Sequence, residues 1–223
     1  MARTKRTDRG AHTVPASSVS GTTRLVEVDD AAALADLLTV NRAFLAPWEP
    51  VREETFYTAA GQADLLRAAL ERHAQGALVP HVILVDGRIA GRITLNEIMR
   101  GPFQSCRLGY WVGSADNGRG VATAAVRQIV RVAFGELGLH RIEAGTLLHN
   151  TGSQRVLERN GFERFGIAAN YLNIAGTWQD HALYQLINPD PVTELDRMVA
   201  TSALPSGVAG VPRSPRDLDR SPG

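Results

Sequence analysis

The sequence predicts an α+β (mixed α/β) fold, a mainly antiparallel sheet of about seven strands with about four helices against its faces. Three observations point there. Val82-Ile83-Leu84-Val85 and Arg88-Ile89-Ala90-Gly91-Arg92-Ile93 flank Asp86-Gly87, a pair that supplies the positive φ angles of a type I′ hairpin turn. A second hairpin lies near the end: Tyr171-Leu172-Asn173-Ile174, a turn at Ala175-Gly176, and a strand from Trp178 to Ile187. Between them stand two strand–helix units, and hairpins combined with such units argue for a mixed, mainly antiparallel sheet, not a doubly wound parallel one.

In chain order, residues 1–20 carry Arg3, Lys5, Arg6 and Arg9 among Ser, Thr and Gly without periodicity, the pattern of a disordered arm. Arg24-Leu25-Val26-Glu27-Val28 reads as a strand. Asp29 or Asp30 then caps a helix with Leu34, Leu37 and Leu38 on one face, which Pro47 stops. After Pro47-Trp48-Glu49-Pro50, a second helix carries Leu65, Leu66, Ala69 and Leu70, with Gly76 just past its end. The Asp86-Gly87 hairpin follows. Beyond a turn at Gly101-Pro102, a strand runs through Cys106 to Val112. Ala122, Ala125, Val126, Ile129, Val130, Ala133 and Leu137 recur at three- and four-residue spacing, an amphipathic helix ending near Gly138. His140 to Leu148 is a strand running into Asn150, and a short helix from Ser153 to Asn160 stops at Gly161, with Phe162 folding back onto it. One domain is expected over residues 21–188. The remainder, 189–223, is rich in Pro, Ser and Gly and reads as largely disordered, with a helical turn available at Leu195 to Met198.

Composition narrows the function. The chain has 223 residues, 44% hydrophobic and 21% charged, ordinary values for a globular domain. A formal net charge of +1 leaves no dominant basic field, so neither nucleic acid nor a membrane surface is an expected partner. Cys106 is the single cysteine, which rules out an intramolecular disulfide and a cysteine-based zinc site and suits a reducing cytoplasm. No apolar run approaches the roughly 20 residues of a membrane-spanning helix, and the start of the chain lacks the apolar core of a signal peptide. Asp180-His181 has no Gly-x-Ser-x-Gly elbow to serve as a hydrolase partner, and no His-Glu-x-x-His pattern is present for a metal.

The chemistry concentrates in Asn117-Gly118-Arg119-Gly120-Val121-Ala122, between the strand Leu108 to Val112 and the amphipathic helix. Glycines let a backbone approach an anion, and the N–H groups and positive dipole end of a helix supply donors without a lysine. A plain strand-to-helix turn uses such glycines too. Neither the Lys-Ser/Thr of a Walker A loop nor Gly-x-Gly-x-x-Gly is present. The spacing resembles instead the Arg/Gln-x-x-Gly-x-Gly/Ala loop of GNAT-type N-acetyltransferases, with Asn117 where Gln or Arg is usual. His149-Asn150-Thr151-Gly152-Ser153, Val156-Leu157 and Arg159-Asn160-Gly161-Phe162 are similar to that family's Asn-x-x-Ser…Asn-Gly-Phe segment. Asn41 to Pro50, Arg100-Gly101-Pro102-Phe103, Leu108-Gly109-Tyr110 and Trp178-Gln179-Asp180-His181 resemble the RimJ/RimL branch, the RimJ type most closely, whose members acetylate the N-terminal residue of ribosomal proteins. The resemblance spans Arg24 to Ile187.

It implies a GNAT fold, acetyl-coenzyme A as co-substrate, no metal, and a primary amine as acceptor, foremost the N-terminal α-amino group, alanine first, of a ribosomal protein. A small-molecule amine (polyamine or antibiotic) acetyltransferase and a non-catalytic coenzyme A sensor are the alternatives, in a monomer or homodimer. Carried over by residue, the resemblance puts the Asn117-Gly118 turn and the N–H groups of Arg119, Gly120, Val121 and Ala122 at the pyrophosphate, with the Arg119 charge in reserve. Main chain of Tyr110, Trp111 and Val112 runs along the pantetheine arm, Asn150 bonds the arm, and Ser153 sits near the sulfur. Ser153, Tyr110, Glu97 and Glu49 are the catalytic candidates, with Trp48 and Glu49 in the acceptor pocket. Each has a plainer reading: Asn150 as a helix cap beside the capping-box pair Thr151 and Gln154, Tyr110 and Trp111 as sheet residues, Glu97 as a solvated charge.

Overall fold

Alternating burial along the chain builds seven strands into one sheet, seen in a computed structural model that describes residues 21–189. The expected N-terminal arm, the tail and the turn at Leu195 to Met198 lie outside the described residues. The strands are β1 (Thr22–Leu25), β2 (Val79–Val85), β3 (Arg88–Met99), β4 (Ser105–Val112), β5 (Arg141–Leu147), β6 (Glu163–Ile174) and β7 (Thr177–Ile187), in spatial order β1-β2-β3-β4-β5-β7-β6. Only β4 and β5 pair in parallel; every other neighbour is antiparallel. The mixed, mainly antiparallel sheet expected from the hairpin count is the sheet observed.

Its two faces carry different helices. On one face Ile93, Leu108, Val112, Ile142 and Tyr184 meet the buried side of α4 (Val121–Arg131) and Leu157 of α5 (Thr151–Arg159). On the other, Val82 and Val26 meet Leu34 of α1 (Ala31–Val40) and Leu66 of α3 (Ala59–Ala74). Successive strand residues point to opposite faces, so Tyr110 and Val112 belong to the first layer and Trp111 to the second.

Turn chemistry read from the sequence holds. Asp86 and Gly87 have φ of 51° and 76°, and Ala175 and Gly176 have 51° and 81°. Gly76 and Gly161, both at positive φ, end α3 and α5 in the same motif: Ala77 N–H bonds Arg72 O at 2.9 Å and Phe162 N–H bonds Leu157 O at 3.1 Å, capturing carbonyls that the helix leaves over.

Among the described residues five α-helices stand where about four were expected, because α1 stops at Val40, not at Pro47, and α2 (Arg42–Leu45) follows it. Asn41 makes the break. Its buried side chain donates to Leu37 O at 2.8 Å and accepts from Ser114 N–H at 2.8 Å, a tertiary bond no local rule announces. β1 ends at Leu25 instead of reaching Val28, since Glu27 and Asp30 cap a 3-10 turn and the Asp30 carboxylate takes Arg24 at 2.6 and 2.8 Å. Leu65 faces solvent; the inner side of α3 carries Leu66 and the fully buried Gln62. The last turn of the amphipathic helix widens to a π-helix over Val132–Glu136, and β6 begins at Glu163, eight residues ahead of Tyr171.

His81 of β2 gives the fold a pH dependence. Burial, helped by His73, lowers its pKa from 6.5 to about 4. Between those values the unfolded chain binds the proton that the folded chain refuses, so stability is full above about pH 6.5 and falls as pH drops toward about 4. Urea unfolding across that window is expected to show the decline, and His81→Gln to flatten it.

Candidate active site

β4 and β5 pair over three residues only, Ser105 with Arg141, Cys106 with Ile142 and Arg107 with Glu143, and then part. Each keeps its outer neighbour: β4 stays on β3 as far as Val112 and β5 on β7 as far as Leu147. The gap therefore opens inside the sheet, and alternate N–H and C=O groups from Leu108 to Val112 face it without a strand partner. One side-chain contact crosses it. The Tyr110 hydroxyl, on β4, lies 2.9 Å from Ser153 Oγ in the first turn of α5 and also donates to Ser153 O at 3.3 Å. Burial pushes the Tyr110 phenol up to about 12, against the opposing pull of its bond to Ser153, so it stays protonated at neutral pH.

The glycine loop ends at the N-terminus of α4. Gly118 and Gly120 have φ of 75° and 83°, conformations that a side chain would strain, and a Cβ at either would meet nothing within 4 Å. The first bond of the helix runs from Ala124 N–H to Gly120 O at 3.0 Å, leaving the N–H groups of Val121, Ala122 and Thr123 outside the ladder. Three side chains fix the loop from behind. Asp116, almost wholly buried, accepts two bonds from Arg88 at 2.9 and 3.0 Å and one from Arg119 at 3.1 Å. Asn41 holds Ser114 by both its N–H and its hydroxyl. Asn117 Oδ1 takes Gly118 N–H at 2.8 Å. The Arg119 charge, held in reserve for the pyrophosphate, bonds Asp116, a residue without a local signal because a lone acidic residue before a glycine loop carries none.

Two adjoining cavities make up the cleft. The outer one, about 330 Å³, lies between Asn117 and Ala122 of the loop, Trp111 and Val112 of β4, and Asn150 and Ser153 of α5. The inner one, about 180 Å³, shares Trp48, Tyr110, Trp111, Asn150 and Ser153 with it and extends to Glu49, Thr146 and His181. Asn150 accepts Ser153 N–H at 3.0 Å as the cap of α5, its plainer reading, and it also lines both cavities. The capping-box pairing is not used: Gln154 Nε2 bonds Leu147 O and Leu148 O. Trp48 stands over His149 at 5.5 Å between centroids. Burial holds the Glu49 carboxyl above its ordinary value, while Arg52 and Arg92 pull the other way.

Glu97 is elsewhere. It sits at a β3 bulge with φ 50°, its carboxylate 3.3 Å from Arg107, in a groove beside the inner cavity rather than within it. Two inner residues were missed. Thr146 Oγ1 is buried without a partner, and His181 is buried with its ring toward the cavity. His181 lies within a stretch that carried the resemblance, yet nothing in its spacing set it at the gap. Among the described residues, no group of His, Cys, Asp and Glu has metal-site geometry.

An internal sheet opening, an α-helix starting at its mouth behind a glycine loop, and partnerless backbone along its edge make up a site for an elongated acyl carrier with an anionic end. The Acetyltransferase (GNAT) domain family matches residues 22–163, and the chain belongs to that family of acetyltransferases. Among its relatives, the Probable N-acetyltransferase YjcK of Bacillus subtilis is 40% identical over 75% of this chain and 93% of its own. The [Ribosomal protein uS5]-alanine N-acetyltransferase of Escherichia coli is 38% identical over 75% and 87%. Among solved structures, Mycobacterium smegmatis RimJ in complex with CoA-disulfide superposes with a TM-score of 0.74 at 31% identity, over 81% of this chain and 88% of that one. This protein is an acetyl-transferring enzyme related to the ribosomal-protein alanine acetyltransferases.

Gly120→Val puts a branched side chain at positive φ into the open space before α4. Calorimetry is expected to show coenzyme A binding lost, with the far-ultraviolet dichroism of the folded chain retained.

Proposed function

We propose that the enzyme carries acetyl from acetyl-coenzyme A to the N-terminal α-amino group of a protein, alanine first, with a ribosomal protein as acceptor. The observation that carries the transfer reading is the opened β4–β5 edge with the Tyr110–Ser153 pair across it. The named substrates of the relatives support the α-amine, and so does the charge of the inner cavity. Glu49 is a single carboxylate under the influence of two arginines, which does not make the acidic trap that a polyamine requires.

The residues divide the work as follows. N–H groups of Arg119, Gly120, Val121 and Ala122, with the dipole of α4, hold the pyrophosphate; Asn117 and Gly118 shape the turn. Main chain of Tyr110, Trp111 and Val112 pairs with the pantetheine arm as a strand would, and Asn150 adds a side-chain donor. Unpaired backbone and the orphan Thr146 hydroxyl fit an amide-bearing guest, since each gains a bond it otherwise lacks. The neutral amine attacks the thioester carbonyl, a C–N bond forms and the C–S bond breaks. A thiol ordinarily titrates near 8.5, well below the buried Tyr110 phenol, so Tyr110 and Ser153 steady the departing sulfur by hydrogen bonds without yielding a proton. Trp48 walls the acceptor side, and the Glu49 carboxylate attracts the incoming ammonium. Glu97, paired with Arg107 outside the cavity, has no part in this scheme.

Ser153→Ala removes a bond worth on the order of 1 kcal/mol that matters late in the reaction, so kcat is expected to fall about fivefold with little change in coenzyme A affinity. Stopped-flow turnover beside calorimetry checks it; an unchanged kcat leaves Ser153 a helix-terminus residue.

An α-amino group titrates near 7.7 to 8.0 and a lysine or polyamine nearer 10.4. With an alanine-terminated peptide, kcat/KM is expected to rise with pH and level off near the α-amine value. If polyamines or aminoglycosides outcompete every such peptide at about pH 7.5, the acceptor assignment is overturned.

A further inference from the structure

His181 is 3% exposed, yet it lines the inner cavity with Glu49, Tyr110 and Ser153. A buried imidazole ordinarily uses both ring nitrogens. Here one is used: Nδ1 lies 2.9 Å from Gln179 O. A carbonyl only accepts, so Nδ1 carries the hydrogen and the neutral ring presents a lone pair at Nε2, which has no protein partner among the described residues. The strand register places the ring. His181 on β7 stands opposite Leu147 at the end of β5, beyond the point where β4 and β5 part, and its Cδ2, the atom bonded to Nε2, would lie 3.7 Å from a Cβ on Gly145. Because residue 145 has no side chain, β5 places none against this edge of the ring.

We propose that His181 is the catalytic base of the transfer, its Nε2 taking the proton of the acceptor nitrogen; the proposal rests on the α-amine reading only for the identity of that nitrogen. Two other candidates are less well placed. Glu97 is tied to Arg107 in the neighbouring groove, and Tyr110 holds its proton far above neutral pH. The groups around the imidazole are few: the Tyr171 ring from β6 at 5.4 Å, Tyr110 of β4, and Glu49 from the loop after α2. Arg107 stands over Tyr171 at 5.9 Å, and the adjoining Asp180 accepts Asn170 N–H at 2.9 Å.

The step balances. The amine lone pair forms the C–N bond, the carbonyl electrons move to oxygen and return to expel the sulfur, and the thiolate leaves with the C–S pair. The proton released from nitrogen moves to Nε2 and from the imidazolium to solvent; the thiolate takes one from solvent. Amine and thioester become amide and thiol.

His181→Asn tests this, because its amide keeps a donor toward Gln179 O while removing Nε2. With an alanine-terminated peptide at about pH 7.5, kcat is expected to fall about 100-fold, with coenzyme A affinity unchanged, and added imidazole to restore part of the rate. The native enzyme's kcat is expected to show an ionisation with pH that the variant lacks. Turnover within threefold of native with the same profile overturns the proposal. Nitrogen-15 spectra of the native protein decide independently of the variant's folding: an Nδ1–H tautomer whose Nε2 resonance moves when peptide joins the coenzyme A complex supports it, and an Nε2–H tautomer or no response overturns it. If native enzyme accepts polyamines and no peptide, the α-amine reading fails, and the same variant with a polyamine still decides the role of His181.

Discussion

The parallel contact between β4 and β5 is short, and the rest of the molecule is arranged around its shortness. Parallel neighbours need a crossover, and α4 supplies it here, which puts a helix N-terminus beyond the end of β4. Were the pairing to continue past Arg107 and Glu143, the two strands would satisfy one another and leave no opening. Because each keeps an antiparallel neighbour on its outer edge, the sheet divides without falling apart. A buried peptide group left unpaired costs about 1 to 3 kcal/mol, so an edge of this kind persists only where packing elsewhere over-determines it. α4 and α5 bind the two halves on one face, and the Tyr110–Ser153 bond spans the opening.

A loop that presents N–H groups to an anion must be rigid before the anion arrives. Asp116 provides this from within. Removing one partner of a buried charge costs about 3 to 5 kcal/mol, against about 0 to 1 for an exposed pair, so a carboxylate 1% exposed and held by Arg88 and Arg119 is a firm anchor. One Arg119 nitrogen is thereby committed to Asp116, while its side chain stays about half exposed. Asn41 adds a second tie, joining the α1–α2 junction to Ser114, so the wall that carries Trp48 and Glu49 is fastened to the loop.

What was legible in the sequence was written locally. Asp86-Gly87, Ala175-Gly176, Gly76 and Gly161 announce their conformations because only certain residues tolerate positive φ, and the period of α4 follows from its buried stripe. What escaped was tertiary. The break at Asn41 depends on Ser114, 73 residues away, and the capture of Arg119 depends on the burial of Asp116. The first half of β6 was unreadable because its exposed residues, Glu163, Arg164 and Phe165 among them, lack the alternation that marks a half-buried strand. The cleft shows the same division: Asn117 and Ala122 of the loop, Tyr110 to Val112 of β4, and Asn150 and Ser153 at the α5 start line one cavity, whereas Thr146 and His181 enter only because strands from distant parts of the chain part at that place.

Glu49 lines the inner cavity, and Arg92 of β3, which does not line it, acts on that carboxyl through space. Burial raises the Glu49 carboxyl and lowers the Arg92 guanidinium, each partly countered by the other, and among the described residues no ion pair joins them. A cation entering beside Glu49 gains one attraction and meets one repulsion, so the cavity favours a group whose charge is small or easily surrendered. An α-ammonium, close to half neutral near its own pKa, satisfies that condition, and a polyamine with several persistent charges does not.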